Sequence, residues 1–186
     1  MPTTPLGIVY PCSGATIDCD DLAAYAQSTQ DAISNTQALI TSVLRPPAVW
    51  VRRPFGGGQV IAPGVTTVMS YTEEMYDTAG MFSLGSPTLL VVRQAGTYLV
   101  NCQTQRTSSP ATLTSSRAAI LLNGVEQAYQ KADGGTSAFN TNDPQYVSAM
   151  LASLVVGDQI TTTCLFTGTG NMGMAHIVSA TRISTF

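Results

Sequence analysis

Hydrophobic and polar positions change period twice along this chain. The first 19 residues, "MPTTPLGIVYPCSGATIDC", place Pro and Thr irregularly and show no period, which predicts an extended arm. From residue 20 the spacing becomes helical. Leu22, Ala26, Thr29, Ile33, Thr36, Ile40 and Val43 follow one another at steps of 4-3-4-3-4-3. These steps align them in one stripe on a helix over residues 20–45. Asp18 or Asp20 serves as its N-cap, Asp21 lies at the positive end of its dipole, and Pro46-Pro47 stops it. The stripe is a heptad seam weakened by two threonines. A lone helix with so narrow a seam is marginal in water. Two readings follow: the helix packs on its own domain, or it forms a parallel bundle with copies of itself.

Residues 46–58, "PPAVWVRRPFGGG", join a Pro-Pro hinge, a short apolar strand around Val49–Val51 and a Gly run. They read as a linker with a first strand. From 59 to 186 the period is two. Alternating runs at 66–71, 88–94, 97–105, 116–124, 146–156, 159–168 and 176–184 are separated by turn residues, with no helical segment between them. This pattern predicts a mainly β sandwich or jelly-roll domain. Asn123-Gly124 is a hairpin turn, since both residues accept positive φ, and Gly157-Asp158 is another. Segments 105–116 and 131–144 are exposed loops. Two strands show a readable inner face: Tyr98, Val100 and Cys102 on one, Ile160, Thr162, Cys164 and Phe166 on the other. Gly96 eases the entrance to the first of these. Cys102 and Cys164 then read as small buried hydrophobes.

Charge narrows the partners. Only 10% of the residues are charged, against roughly 25% in ordinary soluble domains, and the net charge is −3. Seven of the eight basic residues are Arg, and none form a basic run, which disfavours nucleic acid. No apolar stretch reaches the roughly 20 residues of a membrane span. The N-terminus lacks a basic and then apolar leader, so an exported precursor is not expected. Four cysteines and one histidine make a zinc site improbable. Reduced thiols are the default, with a local Cys12–Cys19 disulfide as the alternative.

Candidate chemistry is sparse. His176, the single histidine, falls in the last alternating strand and reads as a structural or surface residue. No Gly-x-Ser-x-Gly occurs, and "PFGGGQ" lacks the Lys-Ser/Thr of a phosphate loop. An enzyme is not expected, and no cofactor is implied. Glu73, Glu74 and Asp77 read as a solvated acidic loop, with calcium as the rival reading. Asp133, Phe139, Asn140, Asn142 and Asp143 form a recognition loop that suits calcium or a glycan. Arg52 and Arg53 either contact a neighbouring protein or are solvated.

Taken in order, Asp77 with Gly80-Met81-Phe82, Gly96-x-Tyr98, Leu122-Asn123-Gly124 and Leu154-x-x-Gly157-Asp158 resemble the globular head of the complement one-q family, which shares its jelly roll with tumour necrosis factor. The resemblance spans about residues 48–186. It departs at the C-terminus, where "SATRISTF" replaces the usual Ser-x-Phe-Ser-Gly. It marks Gly96, Tyr98, Asn123, Gly124, Leu154, Gly157 and Asp158 as a fold signature and implies a three-fold homotrimer, with the helical seam on the same axis. The opening "TPLGIVYP" and the helix after it are similar to minor tail proteins of tailed phages of actinobacteria. That likeness implies a virion protein assembled in the host cytoplasm. Its arm would dock into other virion proteins and its head would face a host surface glycan. A capsid decoration protein or head fibre is the alternative placement, and a carbohydrate-binding module the alternative class.

Overall fold

In a computed structural model of the chain, the described residues are 19–44, 46–108, 112–133 and 144–184, with the side chains of 19, 21 and 42–44 left aside. The chain divides into two compact units, Met1–Arg45 and Pro46–Phe186.

In the first unit, helix α1 runs over Cys19–Leu44. Leu22 and Ala26 of the seam are half-buried, while Thr29, Thr36, Ile33 and Ile40 are exposed. The two seam threonines turn back on their own helix: Thr29 Oγ1 donates to the Tyr25 carbonyl at 2.9 Å and Thr36 Oγ1 to the Ala32 carbonyl at 2.8 Å. This use of the hydroxyl is a common outlet for Thr within a helix. Val43 lies in the helix, and its side chain is among those left aside.

The second unit is mainly β, built as two antiparallel sheets. The first orders β4 (Glu73–Asp77), β1 (Ala48–Arg53), β11 (Met172–Ser184), β6 (Gly96–Arg106) and β9 (Gln145–Leu154), with β2 (Gln59–Ile61) also on β11. The second orders β3 (Thr67–Val68), β10 (Gln159–Thr169), β7 (Thr112–Leu122) and β8 (Val125–Asp133), with β5 (Leu89–Val91) also on β10. A short 3-10 turn at Phe55–Gly57 follows β1.

Alternation builds the core. Along β6, Tyr98, Val100, Cys102 and Thr104 all point inward and are buried; along β10, Ile160, Thr162, Cys164 and Phe166 do the same. Between the sheets Tyr71 shares a 2.6 Å hydrogen bond with Thr162 Oγ1 and stands edge-on to Phe82 and to His176. A larger cluster around Tyr98, Leu154 and Ile160 fills one part of the sandwich. A smaller one, with Met69, Phe166, Met172 and Met174, fills another.

Four strands differ from the sequence pattern. β7 begins at Thr112, inside the expected 105–116 loop, where its first residues pair with β10 past a register shift at Thr167 and Gly168. β8 occupies the first residues of the expected 131–144 loop, so Lys131 and Asp133 are strand residues. It is an edge strand whose register shifts opposite Ile120 and Leu121, and the bulge destroys its alternation. β4 turns the expected acidic loop into an edge strand, again with a shift, opposite Trp50 and Val51. β2 is three residues long, too short to show a period.

Candidate functional site

The signature residues gather at one end of the sandwich. Gly96 faces Leu154 across the β6–β9 ladder. Gly96 has φ +153, and a Cβ built there would collide with the Ser184 carbonyl and lie 2.7 Å from Arg182 Cδ. Its lack of a side chain is what lets β6 reach the end of β11. Tyr98 is fully buried and its hydroxyl donates to the Gln94 carbonyl at 2.8 Å, tying down the turn before the strand. Asn123 (φ +50) and Gly124 (φ +80) make the β7–β8 turn, and Gly157 (φ +100) the β9–β10 turn.

The two turns clip to each other. Asn123 Nδ2 donates to Asp158 Oδ1 at 2.9 Å, and Asn123 Oδ1 accepts the Gln159 N–H at 2.8 Å. Asp158 Oδ2 in turn accepts the Val155 N–H at 2.8 Å. Asn123→Ala and Asp158→Ala are each expected to lower stability by about 1 kcal/mol. Because both remove the same clip, the double variant should cost less than the sum, which urea unfolding of all four proteins would measure.

The chain enters the sandwich at this same end, where the Pro47 carbonyl accepts the Arg182 N–H at 2.8 Å. β6, β8 and β9 carry residues 106, 133 and 145 at the opposite end, which flank two of the chain reversals. Asp133 sits there, in an ion pair with Lys131 at 2.8 Å. Phe139, Asn140, Asn142 and Asp143 lie outside the described residues, as does Cys12.

The outer face of the first sheet is mixed. Leu99 of β6 faces Met150 of β9, while Trp50 of β1, Ile177 of β11 and Tyr146 of β9 stand among Ser179, Asn101, Ser148 and Gln103. Tyr146 is 61% and Met150 68% exposed. A groove of about 380 Å³ runs between Trp50, Tyr146 and Ile177, floored by Asn101, Ser148 and Ser179. Ser148 Oγ donates to Asn101 Oδ1 at 2.7 Å, so part of this polar floor is satisfied internally. Sequence reasoning missed this face. Its signal was an apolar residue at the outward parity of two neighbouring strands, Leu99 beside Val100 and Met150 beside Leu151.

Titratable side chains are largely spent on the fold. His176 is 1% exposed, and its Nε2 lies 2.8 Å from the Ser70 carbonyl. Since a carbonyl only accepts, the proton of the neutral ring sits on Nε2. Burial lowers its pKa from 6.5 to about 4. Burial also pushes the Cys102 and Cys164 thiols up to about 12, which holds them protonated and unreactive. Arg53 is bound to Ser70 and the Gly57 carbonyl. Arg52 pairs with Glu73 at 2.7 Å. Asp77 accepts the N–H groups of Ala79 and Phe82. With Glu73 and Asp77 so engaged, the residues expected to share a calcium ion do not converge, and no cluster of three metal-ligating side chains occurs among the described residues.

No protein-family model matches the chain, and no curated protein does. Solved structures share its fold. The globular domain of zebrafish complement 1qA protein aligns with TM-score 0.53 at 10% identity, over 75% of this chain and 99% of that one. PRD1 vertex protein P5 aligns with TM-score 0.57 at 12% identity, over 74% and 97%. Eiger TNF from S. frugiperda aligns with TM-score 0.50 at 12% identity, over 75% and 95%. The sandwich is a TNF-like jelly roll, and a likeness at these identities is one of fold.

Proposed function

We propose that the protein is a non-enzymatic virion component that assembles as a homotrimer. The observation that carries the reading is the outer face of the first sheet. Exposed Met150 pairs with Leu99, and exposed Tyr146 lines a groove with Trp50 and Ile177; a second and third copy would cover these side chains. The heptad seam of α1 would supply a second contact between copies. The virion setting is supported by the likeness to a phage vertex protein and by the "TPLGIVYP" arm. The non-enzymatic reading is supported by the fold neighbours, a complement globular domain, a vertex protein and a TNF.

In this reading the arm and helix dock into other virion proteins at the tail tip. The chain enters the jelly roll at its signature end, so the opposite end faces outward toward the host. A place on the capsid, as decoration or head fibre, is the second reading, and the vertex-protein likeness favours it. Immunogold labelling of particles separates the two.

Sedimentation equilibrium tests the assembly. The expected mass is three times the 19.5 kDa chain, and Met150→Glu is expected to lower it while leaving the β circular dichroism unchanged. A wild-type monomer at micromolar concentration would overturn the trimer.

A further inference from the structure

Residues 59–70 are held to the sandwich by short ladders. β2 pairs three residues with Met172–Met174 of β11, and β3 pairs two with Thr163 and Cys164 of β10. Val60, Val65 and Val68 are exposed. Ile61 and Met69 are buried with Phe166, Met172 and Met174 in the smaller apolar cluster. A stretch with so few ladder bonds opens locally at lower cost than the long ladders of β6, β7, β10 and β11.

Ser70 ties this stretch to the first sheet. Its carbonyl accepts from two side chains, Arg53 Nε at 2.9 Å and His176 Nε2 at 2.8 Å. Its Oγ accepts from Arg53 Nη2 at 2.8 Å, and its N–H donates to Gln59 Oε1 at 2.8 Å. Arg53 and His176 are register partners on β1 and β11, so they reach Ser70 side by side. His176 is the member of this clamp that can gain a proton in mild acid. Ser70 and Tyr71 wall its ring, and its Nδ1 is buried with no hydrogen-bond partner among the described residues. The surroundings disfavour that proton. Arg53 is a like charge, the Tyr71 hydroxyl is neutral, Thr104 opposite on β6 carries no charge, and no carboxylate among the described residues acts on the ring. The Ser70 carbonyl and the Met174 backbone favour the cation, and burial outweighs both. The Nε2–H bond itself survives protonation. What changes is the cost of keeping a second cation dry beside Arg53. Of the walls around the ring, the one carried by short ladders yields at least cost.

We propose that residues 59–70 form an acid-released flap. On protonation of His176, Ser70 leaves its clamp, and the stretch lifts from Phe166, Met172 and Met174 while the long ladders stay paired. The flap lies within one protomer and does not rest on the assembly or the virion setting.

Hydrogen exchange of the full 15N-labelled chain, followed by NMR from pH about 7 to about 4 and corrected for intrinsic rates, tests the flap. The N–H groups of Gly64 and Met69, bonded to the Phe166 and Thr162 carbonyls, and that of Ser70 report its opening. Those of Val100 and Ile120, in mid-ladder on β6 and β7, report global unfolding. Flap protection should fall about a hundredfold over this range in the wild type, and less than about threefold in His176→Gln, which keeps a donor for Ser70. At pH about 4 the flap amides should open with little dependence on dilute urea, while Val100 and Ile120 open with the dependence of global unfolding. The same opening free energy and urea dependence at flap and ladder would overturn the flap and leave only global unfolding. That comparison uses the wild type alone, so it decides whether or not the variant folds. A fall of about a hundredfold that persists in folded His176→Gln would take the release away from His176 and overturn the proposal.

Discussion

Gly96→Ala is expected to lower the stability of the jelly roll by about 3 kcal/mol or more, a large share of the roughly 5–15 kcal/mol that holds a domain folded. The added methyl meets the Ser184 carbonyl, and Arg182 Cδ stands 2.7 Å from it. Neither neighbour yields cheaply. Ser184 belongs to the backbone of β11, whose register with β6 already shifts between Arg182 and Ser184. Arg182 is buried and donates to the Ala95 carbonyl at 3.4 Å. The backbone at φ +153 adds its own penalty for an L side chain. Thermal unfolding at fixed protein concentration measures the effect. Alanine at the exposed Gly56, where a Cβ meets nothing within 4 Å, is the control expected to leave stability within about 0.5 kcal/mol. A Gly96→Ala protein as stable as the control would remove the close approach as the reason for this residue.

Acid is the second large lever. The folded pKa of His176 lies below its unfolded value, so the folded state favours the neutral ring. Its contribution is complete above the unfolded value of 6.5, declines as pH falls toward about 4, and is flat below. The decline is worth roughly 3 kcal/mol by the usual conversion of a pKa difference to free energy. Protonation would set a second cation beside Arg53, whose Nε holds the same Ser70 carbonyl at 2.9 Å. Tyr71 faces the ring from the core, its own hydroxyl pushed upward by burial and so neutral throughout this range. Urea midpoints taken between pH about 7 and about 4 should slope for the wild type. His176→Gln, which keeps a donor for Ser70, should flatten much of that slope. An equal slope in both proteins would assign the acid sensitivity to other groups.

How much of this was legible follows from where alternation survives. β6, β9, β10 and β11 lie in ladders long enough to show period two, so the jelly roll was readable from them. β4 and β8 are edge strands broken by bulges, and their residues passed for loops. The signature residues were readable as turns, but not that Asn123 and Asp158 bond to each other, since 35 positions separate them. His176 was readable as non-catalytic, in a structural or surface role, and the structure buries it. The sequence did not reveal that its partner would be the Ser70 carbonyl, which no side-chain pattern announces.

The place of β1 has a mechanical consequence. It is not an edge strand: six of its residues pair with β11 and four with β4. The chain reaches it directly through Pro46 and Pro47. A pull on Pro46, resisted at the far end of the sandwich, runs along the strand and loads both ladders in shear. Their bonds would then have to fail together rather than one at a time. The jelly roll is held to whatever precedes it by a strand laddered on both sides.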